Sequence, residues 1–69
     1  MQIFLGKRLR ELRLENKLTQ KQVADGLGIH SVTYLHYEKS QREPSLLLLA
    51  QMAYYFDVTV DYLLGLEEF

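Results

Sequence analysis

The stretch QKQVADGLGIHSVTYLHYEK, residues 20–39, constrains the fold of this chain more than any other. Its apolar residues Val23, Leu27, Ile29, Tyr34 and Tyr37 occupy the positions that two short helices would bury between them. Ala24 falls where the two must cross closely, so that a large side chain would clash. Gly28 falls in the tight turn, where a positive φ is cheap only for glycine. The pattern is that of a helix-turn-helix motif: two helices at a steep angle sharing one small core, with the second left free to protrude. Tyr34 and Tyr37, three apart, share the inward side of that second helix. At about 100° per residue the opposite flank carries Val32, His36 and Lys39, with Leu35 on its edge.

The rest of the chain shows only helical periods. Leu5, Leu9 and Leu12 recur at i, i+4, i+7 among charged residues, which predicts an amphipathic first helix over Phe4–Glu15. Thr19 and Gln22 form a capping box that starts a second helix at Gln20, punctuated by Gly26 and Gly28. A third helix is expected over Ser31–Lys39, and Pro44 forbids continuation past residue 43. Ser45 caps a fourth, Leu46–Phe56, and Thr59 a fifth, Val60–Leu64, which Gly65 stops. With no alternating strand pattern, repeat or linker, the expected fold is all-α, a compact five-helix bundle forming a single domain over residues 1–69.

With 69 residues and no cysteine, neither disulfides nor a thiolate metal site can hold the domain together, so helix packing must. No apolar run approaches the roughly 20 residues that span a bilayer, and the expected location is cytoplasmic. The formal net charge is −1, but it is unevenly spread: residues 1–56 hold all 8 Lys and Arg against 5 acids. Such asymmetry points to a polar partner. Enzymatic signals are missing. His30 and His36 are six apart, about 240° around a helix, and cannot share a metal. There is no phosphate-cradling glycine loop or nucleophile motif, so no catalytic residue, metal, cofactor or small-molecule ligand is expected.

Four segments in order, LGKRLRELR (5–13), LTQKQVADGLG (18–28), YEKSQREPS (37–45) and FDVTVDYLLG (56–65), resemble the lambdoid repressor and Cro type of helix-turn-helix protein, also called Xre-like. The resemblance covers nearly the whole chain. It implies a sequence-specific regulator of transcription, typically a repressor, that binds double-stranded DNA as a homodimer on a palindromic operator with the third helix in the major groove. The base-reading positions of that family fall on Ser31, Val32 and His36, with Leu35 beside them. Val32 suits thymine methyls, while Ser31 and His36 suit base-edge hydrogen bonds. Phosphate contacts carry over to Gln20, Lys39, Ser40 and Arg42, and Lys21 and Gln22 stand beside the first of these. Arg13 and Glu38 match a pair that bridges the first and third helices.

Three departures stand out. His30 replaces the usual Ser or Thr cap of the third helix, Ser40 replaces a glycine after it, and the reading face lacks the Arg, Gln and Asn of bidentate base contacts. The fourth helix, SLLLLAQMAYYF (45–56), is too apolar for a one-sided element. Leu46, Leu49, Ala53 and Phe56 suffice for its core side. Leu47, Leu48, Tyr54 and Tyr55, with Val58, Tyr62, Leu66 and Phe69, are then expected to form a homodimer interface. The alternative is a protein-interaction module, antitoxin-like or a co-regulator, that acts through this apolar helix.

Overall fold

The computed structural model describes residues 3–67 and contains five helices: α1 Leu5–Glu15, α2 Gln20–Leu27, α3 Ser31–Glu38, α4 Leu46–Phe56 and α5 Val60–Leu64. No strand occurs among the described residues. Two boundaries differ by one residue from the sequence expectation. Phe4 is the N-cap of α1 and Lys39 the C-cap of α3, neither of them helical.

Hydroxyl caps set three of the starts. The Thr19, Ser45 and Thr59 side chains accept from the backbone N–H groups of Gln22, Leu48 and Tyr62. The Gln22 side chain closes the box by accepting from the Thr19 N–H at 2.8 Å. Each such cap is worth about 1 kcal/mol. α3 has no such bond, because His30 caps it by backbone geometry alone.

All five helices end in the same way. A left-handed residue donates its N–H to the carbonyl three positions back, and its successor donates to a carbonyl five positions back, at 2.8–3.2 Å. This double closure satisfies carbonyls that the helix leaves open. The left-handed residue is Gly28 after α2 and Gly65 after α5, but Lys17, Ser40 and Asp57 after the others. Ser40 thus adopts the strained conformation expected of it, with φ 58°. A side chain in this region costs about 1 kcal/mol. Lys17→Gly should therefore raise the melting temperature by about 4–8 °C, the shift expected for about 1 kcal/mol in a domain this small. A calorimetric scan checks this, and an unchanged midpoint would mean that the lysine pays no strain there.

Leu9, Leu12, Val23, Ala24, Tyr34, Tyr37, Met52, Ala53, Phe56 and Leu63 form one core. α3 lies against α1 and α2, while α4 packs on α2 and α5 closes against α1 and α4. The packing corrects the reading of α4. Its buried stripe runs through Leu48, Leu49, Met52, Ala53 and Phe56, rotated from the one expected. Leu46 is not core: it is 86% exposed. As the first helical residue it borders an open groove of about 340 Å³ with Ile3, Leu5 and Leu64, where no helix covers it. Leu48, Val58 and Tyr62, expected at a dimer interface, pack against the core of their own chain. The Tyr62 ring also carries the Arg8 guanidinium at 4.5 Å from its centroid, a cation–π contact between α5 and α1.

Candidate nucleic-acid interface

The geometry of α3 follows from its two tyrosines. Tyr34 and Tyr37 are buried, which turns the opposite flank outward. On that flank Ser31 is exposed and Val32 is 61% exposed, so its methyl groups stand in solvent. Leu35 and His36 are half-buried at its edges, and Lys39 is exposed just past the helix. His36 therefore stands less far out than its place on the helical wheel suggested. The outward surface can offer a hydroxyl, methyl groups and an imidazole to a partner groove, but no bidentate amide or guanidinium.

The residues expected to meet phosphates fall in two groups. Ser40 and Arg42 line one wall of the groove beside Pro44 and Leu46, where the chain leaves α3. Gln20, Lys21 and Gln22 make up the first turn of α2. Gln22 has its amide oxygen committed to the capping box, and Lys21 reaches Asp25 at 2.9 Å in an exposed i, i+4 ion pair. Such a pair is readily exchanged for a phosphate, because both groups remain solvated.

Arg13 and Glu38 form the expected bridge. Arg13 Nε donates to Glu38 Oε2 at 2.7 Å and Nη2 to Oε1 at 3.2 Å, a bidentate arrangement. The Arg13 Nη1 also donates to the Leu18 carbonyl at 3.1 Å, tying in the loop between α1 and α2. The pair is not a surface feature, since the Glu38 side chain is only 3% exposed and that of Arg13 12%. Burial by itself would push the Glu38 carboxyl up, yet the hydrogen bonds centred on Arg13 hold it below its ordinary value. The bond to Glu38 raises the Arg13 guanidinium in turn. Burial first, and the neighbouring carboxylate second, push the Tyr34 hydroxyl up, so it stays neutral. That hydroxyl lies within the field of the pair but makes no hydrogen bond of good geometry.

Two contributors escaped the sequence reading. Gln20 Nε2 donates to Glu38 Oε1 at 3.2 Å, which brings the start of α2 to the end of α3. Eighteen positions separate the two residues, and no local pattern marks such a contact. Gly6 is buried where α1 meets the last turn of α3: a Cβ there would lie 2.4 Å from the Glu38 carbonyl oxygen. A glycine inside an otherwise well-formed amphipathic helix was the available signal for this close approach.

Of the expected interface residues, Leu47 is 71% exposed, Tyr54 89% exposed, and Leu66 is also exposed. Tyr55 leans over Gly26 and packs edge-on to Phe56, their ring centroids 5.0 Å apart. Phe69 lies outside the described residues. No group of acidic, histidine or cysteine side chains suited to a metal occurs among the described residues, and none of their helices is long and apolar enough to cross a membrane.

A profile of the helix-turn-helix family matches residues 9–63. The HTH-type transcriptional regulator AnsR of Bacillus subtilis is 48% identical over 61 residues, which cover 88% of this chain and 53% of that protein. The cryptic phage CTXphi transcriptional repressor RstR of Vibrio cholerae is 36% identical over 65 residues, covering 94% of this chain and 59% of RstR. The chain spans about half the length of the relatives it matches most strongly. Among solved structures, a transcriptional regulator from Listeria innocua superposes with a TM-score of 0.89 at 28% identity, covering 94% of this chain and 61% of that one. The P22 c2 repressor, crystallised with synthetic operator 9T in the presence of Tl+, superposes with a TM-score of 0.86 at 27% identity, covering 97% of this chain and all of that one.

Proposed function

This chain belongs to the helix-turn-helix family, in the Xre-like repressor and Cro type that its motifs resemble, and we propose that it is a sequence-specific double-stranded DNA-binding regulator of transcription, a repressor. The observation that carries the reading is the outward flank of α3, with Ser31 and Val32 exposed over a buried Tyr34 and Tyr37. A protruding helix of this kind suits the width of the major groove, about 12 Å. Ser31, Val32, Leu35 and His36 face base edges. Gln20, Lys21, Gln22, Lys39, Ser40 and Arg42 take phosphates on either side. The domain acts in the cytoplasm without enzymatic activity and without a cofactor.

In this reading two copies pair through the apolar residues left uncovered, Leu47, Tyr54, Tyr55 and Leu66, together with Phe69, which lies outside the described residues, so that two reading helices address one palindrome about one DNA turn apart. Equilibrium sedimentation should then show dimer at tens of micromolar; monomer alone, with and without DNA, would count against the pairing.

A second reading draws on the same exposure: Leu46, Leu47 and Tyr54 stand in solvent on α4 and offer a protein partner an apolar strip. Salt separates the two. Retention of genomic fragments flanking the gene should weaken roughly as a high power of salt concentration if several phosphates are engaged, by about 10³-fold or more between 50 and 200 mM for six such contacts. Apolar docking would change little over that range. Failure to retain any genomic fragment at low salt would favour the protein-interaction module.

A further inference from the structure

Among Ser31, Val32, Leu35 and His36, the residues that the DNA reading turns toward base edges, His36 alone can change its charge. Its imidazole is half-buried at the edge of α3. The backbone beneath it is fixed, because the His36 carbonyl accepts from the Gln41 N–H at 2.9 Å in the closure after the helix. The side chain itself makes no hydrogen bond and no ion pair among the described residues, so both ring nitrogens are left for a partner. On the helices packed against α3, Arg13 of α1 is closed on Glu38, and Lys21 and Asp25 of α2 pair with each other. The other charged residues of α1, Lys7, Arg8, Arg10, Glu11 and Glu15, make no bond to the imidazole. Lys39 shares the outward flank, and a lysine ammonium does not change its charge near neutral pH.

A neutral imidazole offers one donor and one acceptor, and an imidazolium offers two donors and a positive charge. Histidine passes between these forms from about pH 5 to 8. In the major groove, N7 and O6 of guanine make an edge of acceptors only, whereas adenine and cytosine present amino donors there. The charged ring therefore suits guanine and cannot accept from an amino group, while the neutral ring can. Given the duplex-DNA reading on which this rests, we propose that His36 is a specificity-determining residue whose charge sets the base it reads. It takes up a proton as α3 enters the groove of a guanine-bearing site, so such sites are bound more tightly as the pH falls. Operator choice then depends on pH through a single side chain.

Randomised DNA duplexes test this, selected on the full chain at about pH 6 and at about pH 8 with the salt held constant. The acid pool should carry guanine at a position where the alkaline pool tolerates adenine or cytosine. The selected guanine-bearing duplex should bind the parent about three- to tenfold more tightly at the lower pH, tenfold being the effect of one unit of proton affinity gained on the DNA. His36→Gln keeps a donor and an acceptor but has no charge to gain, and it should bind that duplex equally at both values. His30→Asn, at the other histidine, replaces one N-cap by a better one and should keep the pH dependence of the parent. Affinities are compared at a temperature where circular dichroism shows every variant folded at both pH values. Equal affinities of the parent, a pH dependence that survives in His36→Gln or vanishes in His30→Asn, or two pools with one base preference would overturn the role of His36 while leaving DNA binding intact. Pools without an enriched sequence at either pH would overturn the DNA reading as well. An independent readout needs no variant: the His36 imidazole proton resonance should titrate at a higher pH on the selected duplex than in the free protein. Coincident titrations would also overturn the assignment.

Discussion

Gly6→Ala should cost this protein about 3 kcal/mol or more and leave a large part of it unfolded at 37 °C, with DNA retention lost in step. The added Cβ would lie 2.4 Å from the Glu38 carbonyl oxygen and 2.8 Å from that of Tyr37, with the Ser40 hydroxyl at 2.7 Å. Two of these atoms are backbone. They cannot yield without dragging the end of α3, and α1 cannot retreat without opening the seam around Leu9, Tyr34 and Tyr37. Gly26→Ala is the matching control. Its Cβ would meet the Tyr55 ring at 2.5 Å, but that is the outer edge of a partly exposed side chain that can swing aside. Alanine also gains about 1 kcal/mol of helix propensity there. Gly26→Ala should thus melt within a few degrees of the parent while Gly6→Ala falls far below it. Equal denaturation midpoints for the two would show that the α1–α3 crossing spreads at little cost.

The second large effect belongs to Glu38→Ala. Removing the carboxylate strands the Arg13 guanidinium in a site that is 12% exposed, with only the Leu18 carbonyl left as partner. Breaking a buried pair from one side costs about 3–5 kcal/mol, and the residual solvent contact of Arg13 places this case near 3. The melting temperature should drop by on the order of 15 °C. The pH dependence has a definite sign. The folded carboxyl lies below its ordinary 4.5, so on acidification the unfolded chain takes up the proton first. The contribution of Glu38 to stability is therefore complete above about 4.5 and is lost as the pH falls below it, through the folded value. In the Glu38→Ala variant the acid limb of the stability profile should be shallower than in the parent. Urea titrations of both proteins between pH 6 and pH 3 measure it, and parallel profiles would mean that the bridge carries no net charge stabilisation.

These two residues also mark where the sequence was legible. Glu38 and Arg13 are paired by the family their motifs resemble, and the structure brings the two side chains into bidentate contact. Gly6 sits among ordinary helix formers, and nothing in its neighbours announces which backbone will press on it. The phase of α4 differs from the sequence expectation for a related reason. Five consecutive leucine and alanine residues satisfy several helical stripes almost equally, so the wheel cannot choose between Leu46 and Leu48 for the core. The neighbours chose: with α4 packed on α2 and α5, Met52 is buried and Leu48 is packed against the core, while Leu46 at the first turn is left 86% exposed.

What the chain determined by itself was local and periodic. The capping box at Thr19, the hydroxyl caps at Ser45 and Thr59, the turn glycine at Gly28 and the inward tyrosines of α3 all depend on groups within about four residues of each other. Bonds of that range form wherever the chain takes helical geometry, so they can be read directly. Tertiary structure decided the rest. Lys17 took a left-handed conformation, against the preference of its own side chain, where the chain turns into the next helix; Asp57 did so at lower cost. Gln20 met Glu38, and Gly6 met two carbonyls, because three helices converge on one point that none of them specifies alone.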